Sequence, residues 1–274
     1  MAPVRLLSLV PAGLWAVLLA YGQAPLPDRQ ELKARAIANM KKSEKALENY
    51  SCIVREQVDE LNADGTVKHH QSKRLEQFYV NGIEIHHLLA KDRRPLSPHD
   101  AKKEQQRVDG EVKRYSDPGE AQKARADQDE QVNRFLEALR FENGRREIRD
   151  GRSIIAYDLS GDPGFHPKNI EGRFAQALVG RIWLDEETAT PVEMRVRTDR
   201  DIKIGGGLLA NVHKGFRFQM QQQRQPDGVW ILKSLDGNGD ARAALFLHPR
   251  FRFRQDLDQC HLFSVNTRET TRHP

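Results

Sequence analysis

Two pairs of histidines are the first residues in this sequence that could do chemistry. His69-His70 and His86-His87 carry imidazole nitrogens of the kind that zinc binds. Asn81-Gly82 lies between them and is the strongest hairpin signal in the chain; a two-residue turn there sets the second pair opposite Gln77 and Glu76. The first pair then lies about seven residues further along, ~20 Å away at the usual strand rise. There is also no HExxH or Cys–His ligand set, so we expect no metal and no cofactor.

Two acidic stretches could supply carboxylates for catalysis or for calcium. Asp185-Glu186-Glu187 lies at a predicted hairpin tip, where successive acids are normally solvated, whereas a catalytic pair needs a pocket and a raised pKa. Asp236–Asp240 begins like a calcium loop, but Ala241 replaces the required glycine and Leu247 the bidentate glutamate. We interpret this stretch as a glycine-rich hairpin turn. No nucleophile elbow, phosphate-binding loop or dinucleotide fingerprint occurs, so we expect no catalytic residues and no enzyme.

A strictly alternating stretch, Arg250–Arg254, places two phenylalanines on one strand face and three arginines on the other. The arginines could form a basic stripe for an anionic lipid or a partner. They could equally protect an edge strand against pairing with another chain, and we favour this second interpretation.

Charge and composition limit the classes of partner. The chain has 274 residues, with 44 basic and 39 acidic side chains and a formal net charge of +5. This mixed surface, together with a mean hydropathy of −0.71, is typical of a soluble protein. A nucleic-acid binder would concentrate its basic charge and carry a recognition motif, so we expect no nucleic-acid partner.

The first residues resemble a secretory signal. Arg5 precedes the apolar run Leu6–Ala20, and Ala20-Tyr21-Gly22 places small residues around a cleavage site. We predict a signal peptide at 1–22 and a single mature domain at 23–274. An uncleaved N-terminal anchor is the alternative, although the run is short for a membrane span, which needs about 20 apolar residues. No later segment predicts a transmembrane anchor, so we expect an exported, soluble protein.

Only two cysteines occur, Cys52 and Cys260. In an oxidising compartment they could form one disulfide bond, which would close a very long loop. Two buried free thiols are the alternative, because spacing alone does not bring two Cα atoms within bridging distance.

The elements that must position these residues are mostly short strands. Around the turn Asp185–Thr190, the alternation predicts a hairpin over Gly180–Arg197. We expect its apolar residues on one face and Trp183 on the other; these apolar residues are Ile182, Leu184, Val192 and Met194. Asp227-Gly228 predicts a further two-residue turn that sets Met220 opposite Leu235.

The rest of the chain predicts one amphipathic helix and a meandering sheet. The helix runs over Pro27–Glu48, and the first strand over Tyr50–Leu61. A charged helical excursion interrupts the strands at about 92–140, and Ser97-Pro98 marks the start of its first helix. Gly205–Gly207 predicts a bend. We count about nine to eleven strands joined by short turns, which indicates an α+β protein with a mainly antiparallel sheet.

The order of these features resembles a known family. The residues that carry the likeness are a Tyr-Ser-Cys first strand at Tyr50, the stretch Arg94-Pro95-Leu96-Ser97 before the excursion, the spaced motif Trp183, Asp185, Thr188 and Pro191, and a last strand ending in Phe263-Ser264-Val265. The chain is similar to the LolA/LolB/RseB-like superfamily of bacterial envelope proteins, and more closely to its outer-membrane lipoprotein-sorting protein-like relatives.

This resemblance implies a periplasmic protein with a curved incomplete barrel, or half-barrel, and helices packed on one face. The family's cavity lies between the helices and the sheet and holds acyl chains, so we expect a hydrophobic or lipidated ligand. We expect apolar side chains on the less apolar face of their strands to line the cavity; these are Leu75, Tyr79, Leu88, Trp183, Trp230 and Leu232. The alternative is an envelope scaffold or sensor module that binds a protein partner through Asp92–Asp127.

Overall fold

The computed structural model describes residues 25–204, 210–243 and 250–262. Three sequence predictions fall wholly or partly outside these ranges: the signal peptide at 1–22, the bend at Gly205–Gly207, and the end of the last strand at Phe263-Ser264-Val265. The structural findings below concern the described residues alone.

Four helices and thirteen strands make up the described part of the chain. The helices are α1 (Arg29–Leu47), α2 (Pro98–Tyr115), α3 (Pro118–Glu137) and α4 (Ile170–Gln176). The strands are β1 (Tyr50–Leu61), β2 (Val67–Val80), β3 (Ile83–Lys91), β4 (Arg94–Pro95), β5 (Leu139–Arg149), β6 (Arg152–Gly161), β7 (Leu178–Asp185), β8 (Pro191–Thr198), β9 (Ile202–Ile204), β10 (Ala210–Val212), β11 (Arg217–Arg224), β12 (Trp230–Ala243) and β13 (Arg250–Leu262).

The strands form one open antiparallel sheet. Its order is β4-β3-β2-β1-β13-β12-β11-β8-β7-β6-β5, and β10 adds to β12 with β9 beyond it. The prediction of an α+β protein with an open, mainly antiparallel sheet and a few helices is confirmed. The strand count exceeds the expected nine to eleven because β4, β9 and β10 are only two or three residues long.

The predicted hairpin of β2 and β3 has the expected register. Val80 pairs with Ile83 and Leu75 with Leu88. The turn residue Asn81 takes a positive φ of 49°, which is the left-handed conformation that asparagine and glycine tolerate in such turns. The next element also begins where expected, because the side chain of Ser97 accepts a hydrogen bond from the Asp100 amide and caps α2.

The hairpin of β7 and β8 forms, but one of its four predicted core residues lies on the other face. Ile182 pairs with Met194, as the shared apolar face requires. The register then shifts between Trp183 and Leu184, so that β8 holds one extra residue. This bulge turns Val192 towards Trp183, and both pack in the same small cluster. The expectation that Val192 shares a face with Met194 is therefore wrong.

The pairing of β11 with β12 is as predicted, although the turn is not. Met220 lies opposite Leu235. The loop between the strands has three residues, Pro226–Gly228, instead of the predicted two. The Gln225 amide donates a 2.7 Å hydrogen bond to the Val229 carbonyl across it. A bulge at Lys233 in β12 removes the extra residue and restores the register.

The glycine-rich stretch Asp236–Asp240 is not a hairpin turn. It lies in the middle of β12 and pairs with β13 along its length. A Cβ atom at Gly237 would lie 2.0 Å from the ring of Phe253, and one at Gly239 would lie 2.6 Å from the ring of Phe216. The glycines thus make room for two aromatic rings that lie across the strand.

Three apolar clusters flank the sheet. The largest packs residues of β5 to β8 against α1, α3 and α4, and includes Leu32 of α1. The second packs β1, β2, β12 and β13 against the other end of α1 at Leu47. The third lies on the face away from these helices, where Trp183 packs with Ile154 and Ala156. Both faces of the sheet therefore bury apolar groups, and α1 spans the helix-bearing face from the first cluster to the second.

Candidate functional site

A band of half-buried apolar side chains crosses the helix-bearing face between the first two clusters. We call it the apolar band; it consists of Val58, Phe218, Met220, Leu235, Phe251 and Phe253. The strand registers place them together, since Val58 pairs with Phe253 and Leu235 with Met220. Val58 is 44% exposed although it lies in the middle of the sheet. The described helices thus leave this apolar surface of the sheet partly uncovered.

Aromatic contacts organise the band. The ring centroids of Phe218 and Phe253 lie 6.5 Å apart, and those of Phe216 and Phe251 lie 5.8 Å apart. Phe216 in turn meets Phe174 of α4 edge to face at 5.4 Å. These are ordinary aromatic separations, so the rings form a fixed platform rather than a set of independent side chains.

The six residues predicted to line a cavity do not lie together. Leu75, Leu88 and Leu232 belong to or pack against the second cluster, on the helix-bearing face. Trp183 and Trp230 contribute instead to the third cluster, on the opposite face. Sequence reasoning also missed the apolar band. The signal for it was present in the alternation of Arg250–Arg254 and in the glycines of β12, which we had assigned to a turn.

Tyr79, the sixth of these residues, belongs to a polar group at the turn of β2 and β3. Its hydroxyl accepts a 2.7 Å hydrogen bond from buried Gln77 and lies 3.3 Å from Glu84. Burial, and then the charge of Glu84, raise the pKa of Tyr79 well above its usual range. The hydrogen bond to Glu84 raises the pKa of His86 in the same group. Tyr79 is therefore a neutral hydrogen-bonding residue near neutral pH.

Three arginines surround the indole ring of Trp183. Their guanidinium carbons lie 4.7 Å, 5.5 Å and 5.9 Å from the ring centroid, for Arg149, Arg195 and Arg181 respectively. Buried Glu193 pairs with both Arg149 and Arg195. Cations over an indole face are stabilising, so this tryptophan anchors a charged layer on the face without helices.

Only one of the three acids at the β7–β8 turn is solvated. The carboxylate of Asp185 is fully buried, with oxygens 2.7 Å and 3.0 Å from Arg152 and further hydrogen bonds from the Thr188 amide and hydroxyl. Glu186 is partly buried against Arg146 and Ser153, whereas Glu187 is exposed. The expectation of three solvated acids is wrong because their arginine partners come from the distant strands β5 and β6.

Burial alone would raise the pKa of Asp185. The hydrogen bonds from Arg152 and Thr188 outweigh this and hold the pKa below its usual value. A carboxylate kept ionised by a bidentate arginine is a structural anchor, and it lacks the raised pKa of a general acid.

The arginines of the Arg250–Arg254 stretch share one face, as predicted, but they do not protect an edge. β13 is a central strand between β1 and β12. Arg252 pairs with Asp59 of β1 at 2.8 Å, and Arg254 pairs with Asp256 at 2.7 Å. The interpretation as edge protection is wrong; Arg252 forms an ion pair across to β1, whereas the partner of Arg254 lies on its own strand.

The edge of the sheet at β3 is capped by α2. Glu104 accepts a 2.8 Å hydrogen bond from the Leu88 amide, and Arg107 donates to the His86 carbonyl. Arg107 and the Leu88 amide lower the pKa of Glu104, which remains an acceptor near neutral pH. The two side chains satisfy backbone groups that an edge strand would otherwise leave open to pairing with another chain.

Cys52 and Cys260 form a disulfide bond, with Cα atoms 4.1 Å apart. The bond lies beside the second apolar cluster, where Cys52 is buried next to Tyr50 and Val54. It ties β1 to β13 across 208 residues of sequence. Elsewhere in the described residues no group of three or more metal-binding side chains occurs. None of the described helices has both the length and the apolarity to span a membrane.

Comparison with solved protein structures finds similar chains. A solved domain described as an outer membrane lipoprotein-sorting protein, from Vibrio parahaemolyticus, is similar to this chain. The two share 11% sequence identity with a TM-score of 0.31, over 82% of this chain and 92% of that one. Its description is that of the family which the sequence resembles. No family model matches the chain, and no curated protein matches it.

Proposed function

We propose that this protein is a non-enzymatic binder of a hydrophobic or lipidated ligand, held between the helices and the sheet. The observation that carries the proposal is the apolar band, which is half-buried and lies between two fully packed clusters. Monomeric soluble proteins seldom leave such a surface partly open unless it meets a ligand or a partner. The aromatic rings packed over the glycines of β12 offer an apolar surface that an acyl chain can cover.

Helix α1 is the element that would move. Its first half is attached to the sheet by Leu32 in the first cluster and by hydrogen bonds from Arg35 and Asn39 to the carbonyls of the β7–β8 turn, and its end by Leu47 beside the second cluster. An apolar chain that slides under the part between Asn39 and Leu47 would bury surface on both sides, at about 25 cal/mol for each Å² removed from water. The half-buried leucines beside the second cluster, Leu88 and Leu232, extend the band towards one end of the helix.

The proposed setting is the periplasm. The signal-like residues 1–22 support export, and the bond between Cys52 and Cys260 suits an oxidising compartment. Sequencing the N-terminus of the secreted protein tests this part of the proposal; a chain that begins before Gln23 and stays in the membrane fraction would contradict cleavage.

Ligand binding is tested by native mass spectrometry of the protein purified from the envelope fraction, followed by uptake of a fluorescent fatty acid. We expect a co-purified lipid or lipidated species and saturable uptake of the probe. A protein that carries no ligand and takes up no probe would refute the proposal.

A matched pair of variants locates the site. Val58→Glu places a charge in the band at a position that is already 44% exposed, so the fold should tolerate it. We expect roughly tenfold weaker probe binding, which corresponds to about 1.4 kcal/mol. Ile148→Glu, at an isoleucine that is 71% exposed and outside the band, should leave probe binding unchanged. Equal binding by the two variants would place the ligand elsewhere.

The second candidate function is an envelope scaffold or sensor module that binds a protein partner through Asp92–Asp127. The favouring observation is that α2 already holds the β3 edge, while most of its outer side chains are exposed and charged. Reversing the charge of Lys102 and Lys113 on this surface should abolish capture of such a partner and leave fatty-acid uptake intact. If the chain is only a lipid binder, neither the wild type nor the variant should capture a partner, and both should take up the fatty acid.

A further inference from the structure

Two arginines lie directly opposite each other on neighbouring strands, on the face without helices. The register of β8 and β11 pairs Arg197 with Arg217. Cβ atoms of such a pair are about 4.5–5.5 Å apart, and like charges in this position are destabilising. Both side chains are exposed. Within the described parts of the chain, neither guanidinium forms an ion pair or a hydrogen bond with another side chain.

Other arginines on the same face behave differently. Arg252 pairs with Asp59, Arg254 with Asp256, and Arg181 with Asp158. Carboxylates are therefore available in this sheet as counter-ions. Arginines also lie opposite each other at Arg181–Arg195 and Arg55–Arg74, but in each of those pairs at least one guanidinium has a carboxylate partner. Among the described residues, the pair at β8 and β11 has no such partner on either strand, and its like charges cost folding stability.

A groove of about 560 Å³ opens at this pair. Arg195, two residues along β8, adds a third guanidinium to its wall. Gln219 and Asn238 add side-chain amides, which can donate hydrogen bonds. Val179 lies opposite Arg197 on β7, and its short side chain lines the groove there.

One acid also lines the groove. The carboxylate of Asp236 lies 3.8 Å from the guanidinium of Arg254, which also pairs with Asp256. Arg195 pairs with buried Glu193, which Arg149 shares. The lining residues comprise three guanidinium groups and one carboxylate, so the groove carries a net positive charge.

We propose that this groove binds a phosphate group, either as a free anion or as the phosphomonoester of a lipid headgroup. Guanidinium groups hold phosphate oxygens through paired N–H···O bonds, and two forks on adjacent strands can clasp one phosphate from two sides. A dianion would also remove the repulsion between the two arginines. The groove lies on the face opposite the apolar band, so the inference does not depend on lipid binding there.

The test is titration of the purified protein with inorganic phosphate, followed by calorimetry. We expect saturable binding by the wild type and at least tenfold weaker binding by the double variant Arg197→Gln/Arg217→Gln. The matched control is Arg200→Gln/Arg250→Gln, which removes the same charge from two exposed arginines outside the groove and should bind phosphate like the wild type. Absence of saturation below about 20 mM phosphate, or equal binding by both double variants, would overturn the proposal.

Melting temperatures provide a second test that does not rely on the measured affinity for phosphate. In phosphate-free buffer the Arg197→Gln/Arg217→Gln variant should melt at the same temperature as the wild type or higher, because a like-charge contact has been removed. Added phosphate should raise the melting temperature of the wild type and leave that of the variant unchanged. A variant that melts lower in phosphate-free buffer would assign the pair a structural role and contradict the proposal.

Vesicles distinguish the two sources of phosphate. Co-sedimentation with phosphatidic acid in phosphatidylcholine vesicles, lost in the Arg197→Gln/Arg217→Gln variant, would support a lipid headgroup. Binding of inorganic phosphate without co-sedimentation would support a free anion. The Val58→Glu variant tests the apolar band on the opposite face. A failure of phosphate binding can therefore be distinguished from a failure of ligand binding in the band.

Discussion

Replacing Asp185 by asparagine should unfold this protein more readily than any other single charge removal at the β7–β8 hairpin. The carboxylate is fully buried and bidentate with Arg152. Breaking a buried ion pair by removing one partner costs about 3–5 kcal/mol. Arg152 keeps a second partner in Glu187, and its side chain is 24% exposed, so we place the cost of Asp185→Asn at about 2–3 kcal/mol.

The effect of this substitution should depend on pH. The folded-state pKa of Asp185 lies below its ordinary value, because the hydrogen bonds from Arg152 and Thr188 outweigh burial. A carboxyl group of this kind stabilises the fold above the unfolded pKa, near 3.9, and this stabilisation is lost as the pH falls through the folded pKa. The difference between the wild type and Asp185→Asn should therefore be full at neutral pH and shrink below about pH 4.

Urea denaturation at several pH values measures the free-energy cost of Asp185→Asn and how this cost changes with pH. The matched control is Asp240→Asn, because Asp240 also pairs with an arginine but its side chain is 50% exposed. Exposed pairs contribute about 0–1 kcal/mol, so this variant should differ little from the wild type. A cost below about 1 kcal/mol for Asp185→Asn, or a cost that does not change with pH, would refute the assignment of Asp185 as the anchor of the hairpin.

Three further outcomes are expected. Gly237→Ala should destabilise the fold by about 1–3 kcal/mol, because its Cβ would lie 2.0 Å from the Phe253 ring, and Gly237→Ala/Phe253→Leu should recover part of this loss in urea denaturation. Cys52→Ser/Cys260→Ser should lower the free energy of unfolding by on the order of 5 kcal/mol in the chain-entropy description; an unchanged melting curve would contradict it. Glu104→Gln should speed hydrogen exchange of the Leu88 amide, which donates a hydrogen bond to the Glu104 carboxylate. Amides of the central strands should exchange as before.

Local signals were enough to predict several parts of the fold. Asn81-Gly82 fixed the register of β2 with β3, because that turn type allows few alternatives. The boundaries of β1 at Tyr50–Leu61 followed from alternation and flanking turn residues. Both signals act within a few residues, and tertiary packing does not override them.

The parts that could not be predicted depend on distant residues. The bulge that turns Val192 to the other face depends on the space around Trp183, which several strands define together. Asp236–Asp240 resembled a turn because glycine favours turns, whereas here the rings of Phe253 and Phe216 occupy the room that the glycines leave. The burial of Asp185 depends on Arg152, which lies 33 residues away in the sequence.

The first and last described strands meet in the middle of the sheet, and this has a consequence for how the chain folds. β13 lies between β1 and β12, so β1–β4 and β5–β12 form two separate sheets until β13 inserts between them. The pairing of β13 with β1 spans some 200 residues of sequence, and long-range pairing of this kind is slow, whereas β12 and β13 are consecutive strands. Before this pairing forms, the assembling chain would therefore expose two open edges at its centre, one on β1 and one on β13. Removing β13 should yield two loosely joined halves rather than a smaller sheet, and the disulfide can close only after this last strand has been inserted.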